Sequence, residues 1–272
     1  MTKIKMYCLT LNPNNLELIK KLDYNPVGLG EISFYGKDWF VDNTKDNIAF
    51  KNKYYGEYTF HYWLWKNNIL ESNRWVGFCQ YRKFWKKNKV KFEDSNFDTL
   101  NKFVLKKIPT ELENYEVILG EELFINEIKI SKLFKHSFKK IIYDPSLLFN
   151  KKKRNIKFHF DMMHGDGNLD KAISLLDLKE KKGFDHFVNT EISFNPHNMF
   201  ICKNKDILFS YYNSLFPWLE RCEKIFGFEK KNVYGLKRIY AFLAERYMPY
   251  WFKKYTKYTL LPIHFKDINS YL

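Results

Sequence analysis

Residues 3–11, KIKMYCLTL, alternate polar and apolar and then run apolar, which predicts a buried first strand. The polar NPNN that follows predicts a turn, residues 16–22 a short helix, and Val27-Gly28-Leu29-Gly30 a strand-to-loop junction. From 52 to 68, Tyr55, Tyr58, Thr59, Tyr62, Trp63 and Lys66 fall at helical spacing. The pattern predicts one long helix, so loaded with aromatics that it must be buried on most sides. RWVGF at 74–78 and YEVIL at 115–119 predict short strands. Residues 126–157 mix Lys with Ile, Leu and Phe and announce no element, and KKKR at 151–154 reads as a solvated loop.

Further along, residues 170–178 predict a helix, and FNPHNMFI at 194–201 a turn leading into a strand. Residues 206–226 predict a helix interrupted near Pro217, 234–247 a second long helix, and 258–264 a strand. Strands and helices alternate without a repeat, and no Pro/Ser/Gly-rich linker divides them. The expected architecture is α/β: a central, mostly parallel mixed sheet flanked by helices. It is expected as a single domain, with a core over about 4–250 and a tail over 251–272.

Composition adds a core and a charge. Hydrophobic residues make up 45% and aromatics 19%, which excludes disorder over most of the chain. The net charge of +15 favours anionic partners such as phosphate-bearing substrates, nucleic acid or lipid headgroups. Lys-, Asn-, Ile- and Tyr-rich usage also follows from an AT-rich coding sequence, so the charge alone selects none of them. Cys8, Cys79, Cys202 and Cys222 form no CxxC and no zinc-spaced cluster, and read as buried thiols in a reducing compartment. The amino terminus lacks the apolar core of a signal peptide, and no apolar run reaches the ~18 residues of a membrane span. The expected location is the cytoplasm, with peripheral contact at the inner membrane face as an option.

Walker A, GxGxxG, GxSxG and HExxH motifs are all absent. Candidate chemistry sits in five blocks. DNTKDNIAFKNKYYGE at 42–57 offers Asp42, Asn43, Asn47, Lys51, Asn52 and Glu57 just ahead of and into a helix, where amides and carboxylates suit hydroxyls or a base edge. The same residues also suit turns and caps. Gln80-Tyr81-Arg82-Lys83 follows a short strand and presents cations matched to phosphate oxygens. DMMHGDGNLD at 161–170 supplies His164 and Asp166 as candidate general bases. Asn198 precedes a buried strand, and Glu245-Arg246 lies within a helix as a bracing pair.

These blocks, in this order, resemble the bacterial domain-of-unknown-function 4422 family, which is grouped with glycosyltransferases of the GT-A type. The residues that carry the resemblance are Val27-Gly28-Leu29-Gly30, DNTKDNI at 42–48, KNKYYGEYT at 51–59, YWLWKN at 62–67 and GFCQYRKFW at 77–85. His164 through Asp170, NMFI at 198–201 and AERY at 244–247 complete the series. Gln80 stands where the family has His, Lys83 where it has Arg, and Gly56 where it has Cys.

The resemblance implies a GT-A-like fold and transfer of a hexose from a nucleotide-sugar donor, UDP-linked and with a furanose such as galactofuranose as an option. The acceptor would be a growing capsular or lipopolysaccharide glycan, free or lipid-linked, and a base such as His164 or Asp166 acting in a direct displacement predicts inversion. It places the donor near Thr10, Gly28, Asp42, Asn43, Asn47, Lys51, Asn52, Glu57, Tyr81, Arg82, Lys83 and Asn198. No clear DxD stands at a strand end, so no metal ligand is assigned, although manganese or magnesium remains an option. The alternatives are a basic nucleic-acid-binding protein, opposed by aromatics at core spacing and by missing RNA-binding motifs, and a non-catalytic glycan-binding protein.

Overall fold

The computed structural model describes residues 1–34, 36–72, 74–87, 96–228 and 234–272. The strands are β1 Thr2–Thr10, β2 Asn25–Gly28, β3 Phe40–Val41, β4 Trp75–Gln80, β5 Lys83–Trp85 and β6 Lys107–Ile108. They continue with β7 Val117–Gly120, β8 Leu123–Phe124, β9 Ser193–Phe194, β10 Phe200–Cys202, β11 Tyr258–Leu261 and β12 Ile263–Phe265. The helices are α1 Leu16–Lys21, α2 Asn52–Tyr55, α3 Tyr58–Asn67, α4 Phe97–Phe103, α5 Ile130–Tyr143 and α6 Ile156–His164. After them come α7 Asn168–Ser174, α8 Leu178–Thr190, α9 Lys205–Phe226, α10 Tyr234–Lys237 and α11 Ile239–Tyr255.

The chain forms two compact units, the first comprising residues 1–121, 198–214 and 252–272 and the second residues 122–197 and 215–251. The first unit holds the main sheet, in the order β11-β7-β10-β4-β1-β2-β3. Neighbours run parallel except at β10, which is antiparallel to both β4 and β7. The architecture is therefore mixed α/β, with a central, largely parallel sheet. Residues 258–261 belong to that sheet, and β12 pairs with β5, so the carboxyl-terminal stretch is built into it.

The alternation in β1 explains its double burial. Ile4, Met6 and Cys8 point to one face and join Trp75, Cys79, Ile201, Leu18 and Phe84 in a single cluster. Tyr7 points to the other face, where its ring meets Phe60 at 5.2 Å and Phe78 at 5.9 Å. A parallel strand covered on both faces reads as a continuous apolar run. On the aromatic face α3 adds His61, whose Nδ1 lies 2.6 Å from the Tyr212 hydroxyl. Burial pushes that imidazole down to about 3, so it is neutral. The hydroxyls of Tyr58 and Tyr211 share a hydrogen bond of 2.8 Å. All four cysteines are buried and free.

The second unit is mainly helical, with a two-stranded sheet of β8 and β9. Its centre is aromatic: Trp218 lies 5.0 Å from Tyr247 and 5.8 Å from Phe184, and its indole donates to the Ala172 carbonyl at 2.7 Å. Leu133, Ile141, Leu147, Phe158 and Met162 form a smaller cluster between α5 and α6.

Three local expectations change. The helix expected over 52–68 is broken at Gly56, whose φ of 56° and ψ of −132° end α2 before α3 begins. That backbone region is open to glycine and costly for other residues. α9 runs through Pro217 without interruption. A proline removes one helical N–H, but Phe216, Trp218 and Leu219 beside it are buried, and their packing offsets the loss. The KKKR stretch splits: its lysines are exposed, whereas Arg154 is buried and donates to the carbonyls of Leu147, Leu148 and Asn126.

Gly56→Ala is expected to destabilise the protein by about 1–3 kcal/mol, because alanine meets the full penalty of that backbone conformation. Urea denaturation followed by circular dichroism measures it, and a midpoint equal to that of the parent would contradict the break.

Candidate functional site

Sheet order locates the crevice before any side chain is considered. The chain leaves β1 for β2 and β3 on one side and later returns to β1's other side as β4. In open α/β sheets ligands gather beyond the carboxyl ends of the strands at such a reversal. The groups at those ends here are Thr10, Gly28 with Leu29 and Gly30, Asp42, and Gln80 with Tyr81, all in the first unit.

Backbone hydrogen bonds tie these ends together. Leu29 N donates to the Thr10 carbonyl at 3.1 Å, and Tyr81 N to the Leu9 carbonyl at 3.1 Å. Gly30 N donates to Asp42 Oδ1 at 2.8 Å. Gly30 has a φ of 73°, which strains any residue with a side chain, and a Cβ there would press on Asn52 Cβ at 3.2 Å. Asn52 in turn donates to the Gly56 carbonyl at 3.0 Å and to Thr59 Oγ1 at 3.1 Å. Strand ends and the α2–α3 break thus form one hydrogen-bonded group around Asp42.

Asp42 is fully buried. Burial pushes its carboxyl from 3.8 up to about 6, against the lowering effect of Thr59 and of the Gly30 and Asp42 N–H groups. At pH 7 it is therefore a costly buried anion, and such positions concentrate at functional sites.

Beside this group runs a half-buried polar row. Gln80 Nε2 donates to Glu57 Oε1 at 2.7 Å, and Lys83 Nζ donates to Gln80 Oε1 at 3.2 Å. Arg82 is exposed, with its guanidinium 4.8 Å from the Tyr81 ring. Phosphate oxygens fit such a guanidinium and ammonium. The carboxamide of Gln80 and the carboxylate of Glu57 fit hydroxyls.

Of the residues expected at the donor, the structure brings together Thr10, Gly28, Asp42, Asn52, Glu57, Tyr81, Arg82 and Lys83 at or beside the strand ends. Thr10 Oγ1 accepts from Asn12 N and from Asn15 Nδ2, both at 2.9 Å, so its hydroxyl braces the turn after β1. Asn47 accepts from Ala49 N and donates to the Lys45 carbonyl, which makes it a local cap. Asn43 is exposed, and Lys51 Nζ lies 5.7 Å from the Phe50 ring centroid. Asn198 is buried with a φ of 54°, at the turn that opens β10.

The other candidates lie in the second unit. His164 is buried, with Nδ1 3.1 Å from the Gly235 carbonyl and its ring stacked on Phe242 at 4.1 Å. Burial and then the Arg246 charge push it down to about 3, so the imidazole is neutral. Asp166 is exposed and pairs with Lys140 at 2.5 Å. Glu245 accepts from His197 N at 2.7 Å and from Arg246. The buried Arg246 guanidinium lies 3.9 Å from the Phe194 ring centroid.

The sequence does not announce Thr59 as a neighbour of Asp42, or Gln80 as the link between Glu57 and Lys83. Gln80 was visible as the last residue of an apolar strand, but nothing in the sequence paired Thr59 with Asp42. Among the described residues no three His, Cys, Asp or Glu side chains converge as a metal cage. An ion held by one carboxylate and a ligand's phosphates would need no such cage.

An open α/β sheet with a cluster of polar groups at its strand reversal is thus the class this fold defines. The chain belongs to the family described as Domain of unknown function (DUF4422), whose model matches residues 6–257. No curated protein matches it. It is similar to a solved structure titled as the apo form of the bifunctional glycosyltransferase WbbM, with 20% identity and a TM-score of 0.65. The match covers 98% of this chain and 46% of that one, so the chain spans about half the length of that protein, and the two share a fold.

Asp42→Asn keeps an acceptor for Gly30 N–H and removes the buried charge. Its stability gain over the parent is expected to be about 2–3 kcal/mol at pH 8. The sign follows from a raised carboxyl: the folded parent holds its proton up to about 6, the unfolded chain only to about 4, so the parent loses stability as pH rises through that window. The gap between the two proteins should therefore shrink below pH 4. Thermal unfolding across pH checks this, and a gap constant with pH would contradict the buried ionisation.

Proposed function

We propose that this protein is a glycosyltransferase that takes a hexose from a nucleotide-sugar donor, UDP-linked, and adds it to a surface-polysaccharide glycan of the capsular or lipopolysaccharide kind. A furanose such as galactofuranose is one donor option. The observation that carries the reading is the group of Gly30, Asp42, Asn52, Glu57, Gln80 and Lys83 at the strand reversal, in a fold shared with part of a glycosyltransferase.

The donor-side residues of this reading all lie in the first unit. The bond from the anomeric carbon to the diphosphate oxygen breaks, and the leaving group departs as a nucleoside diphosphate. A bond forms from an acceptor hydroxyl oxygen to the same carbon on the opposite face, with inversion, and the hydroxyl proton passes to a base. Arg82 and Lys83 supply positive charge where the departing diphosphate gains negative charge. Gly30 and Asp42 shape the floor, and Glu57 and Gln80 offer partners for hydroxyls. A divalent cation, where bound, would share the neutralising role.

Thermal unfolding with UDP, GDP, CDP, CMP and their sugars tests the reading, each with manganese and with EDTA. A ligand that binds only the folded chain raises the melting temperature by mass action. The expected outcome is a shift with UDP and its sugars that Lys83→Ala and Arg82→Ala together reduce at least about tenfold in apparent affinity, as expected for lost charge-assisted contacts. A shift retained in EDTA assigns the neutralising charge to the two side chains, and a shift restored only by manganese assigns it to a metal. No shift with any nucleotide would overturn the proposal.

A further inference from the structure

α5 is apolar on more of its circumference than the protein covers. Leu133, Ser137 and Ile141, four residues apart, are buried. Leu133 and Ile141 pack with Leu147, Phe158 and Met162. One position on, Phe134, Phe138 and Ile142 repeat the same spacing, with 40%, 58% and 61% of their surface exposed. The backbone leaves helical geometry at Ser137 (φ −135°, ψ 23°), so α5 is two helical segments; Phe134 is exposed on the first, and Phe138 and Ile142, four residues apart, share the exposed side of the second. The phenyl rings of Phe134 and Phe138 lie 6.5 Å apart, so the row is continuous. Tyr143, the last residue of the helix, and Phe149 beyond it, exposed at 89% and 84%, extend the apolar surface.

The segment that carries this row is rich in lysine. Residues 128–153 contain eight lysines, at 129, 132, 135, 139, 140, 151, 152 and 153, and one acid, Asp144. Lys140, Lys151 and Lys153 reach Asp166, Glu127 and Asp144, which cancels part of the charge. The other lysines keep the segment strongly basic. Exposed aromatic and aliphatic side chains on a lysine-rich helix match the interface of an anionic bilayer, where rings enter the headgroup region and lysines meet lipid phosphates.

We infer that α5, with residues 143–153, docks the protein on an anionic lipid surface. Phe134, Phe138 and Ile142 are the inserting row, and the flanking lysines give the preference for acidic headgroups. The inference stands on this helix alone and is independent of any sugar donor.

Co-sedimentation of the full chain with vesicles tests it. One set is phosphatidylcholine alone; the other is an equal mixture of phosphatidylcholine and phosphatidylglycerol. The expected result is binding to the mixed vesicles at least about tenfold tighter than to phosphatidylcholine, since each basic residue at such a surface adds roughly fivefold, and weakening by salt. Phe138→Ser with Ile142→Ser is expected to lower that binding about tenfold without changing the melting temperature, because both side chains are already exposed. Phe138→Trp keeps the row apolar, and the emission it adds over the parent's seven tryptophans, read as a difference spectrum, should shift to the blue on mixed vesicles. The inference is overturned by equal binding of the serine variant and the parent, by binding to neither vesicle, or by an unshifted Phe138→Trp spectrum. It is equally overturned if the serine variant loses only self-association in light scattering, which would make the row a contact between copies of this chain.

Discussion

A carboxyl group kept out of water is the constraint around which the first unit's strand ends are arranged. Asp42 accepts the Gly30 N–H at 2.8 Å, and that bond fixes where the chain goes after β2 and how β3 ends. Glycine suits position 30 because its backbone is left-handed and Asn52 sits close against it. Asn52 in turn holds the Gly56 carbonyl and the Thr59 hydroxyl, so the break between α2 and α3 belongs to the same construction. A buried, ionised carboxylate is an expensive way to hold a loop, since neutral groups could make the same hydrogen bonds. Buried charges of this kind concentrate at functional sites.

What was legible in the sequence was mostly what burial writes there. β1, β4 and β10 are covered on both faces, and their apolar runs stood out. α3 was visible through its aromatic spacing, but the break at Gly56 was not. The rings on either side keep helical spacing, and periodicity is blind to one residue with reversed backbone. α5 and α6 are not announced by the sequence because lysines and apolar residues alternate too irregularly there, and α5 leaves helical geometry at Ser137. Pro217 misled in the opposite direction, since dense packing around it outweighs the missing N–H.

The candidate site divided along the same line. The residues around Asp42 and the Tyr81-Arg82-Lys83 turn were singled out because their types suit phosphate and hydroxyl ligands. Which of them meet was decided by contacts far apart in sequence, such as Gln80 with Glu57. Asn47 and Thr10 show the other side: polar side chains near strand ends whose hydrogen bonds go to local turns. A polar residue type records a capacity for hydrogen bonding, and only the fold determines where that capacity is spent.

β7 and β10 are hydrogen-bonded neighbours, yet 79 residues separate Gly120 from Phe200 in the chain. Everything from 122 to 197 is thus an excursion that leaves the sheet and re-enters it one strand away. The entropy of closing so long a loop grows only slowly with its length, so the sheet is nearly indifferent to how much chain the excursion contains. A lineage could lengthen, shorten or rewrite that excursion while the strand ends that form the crevice stay as they are. In evolutionary terms the two parts of this protein are free to change at different speeds.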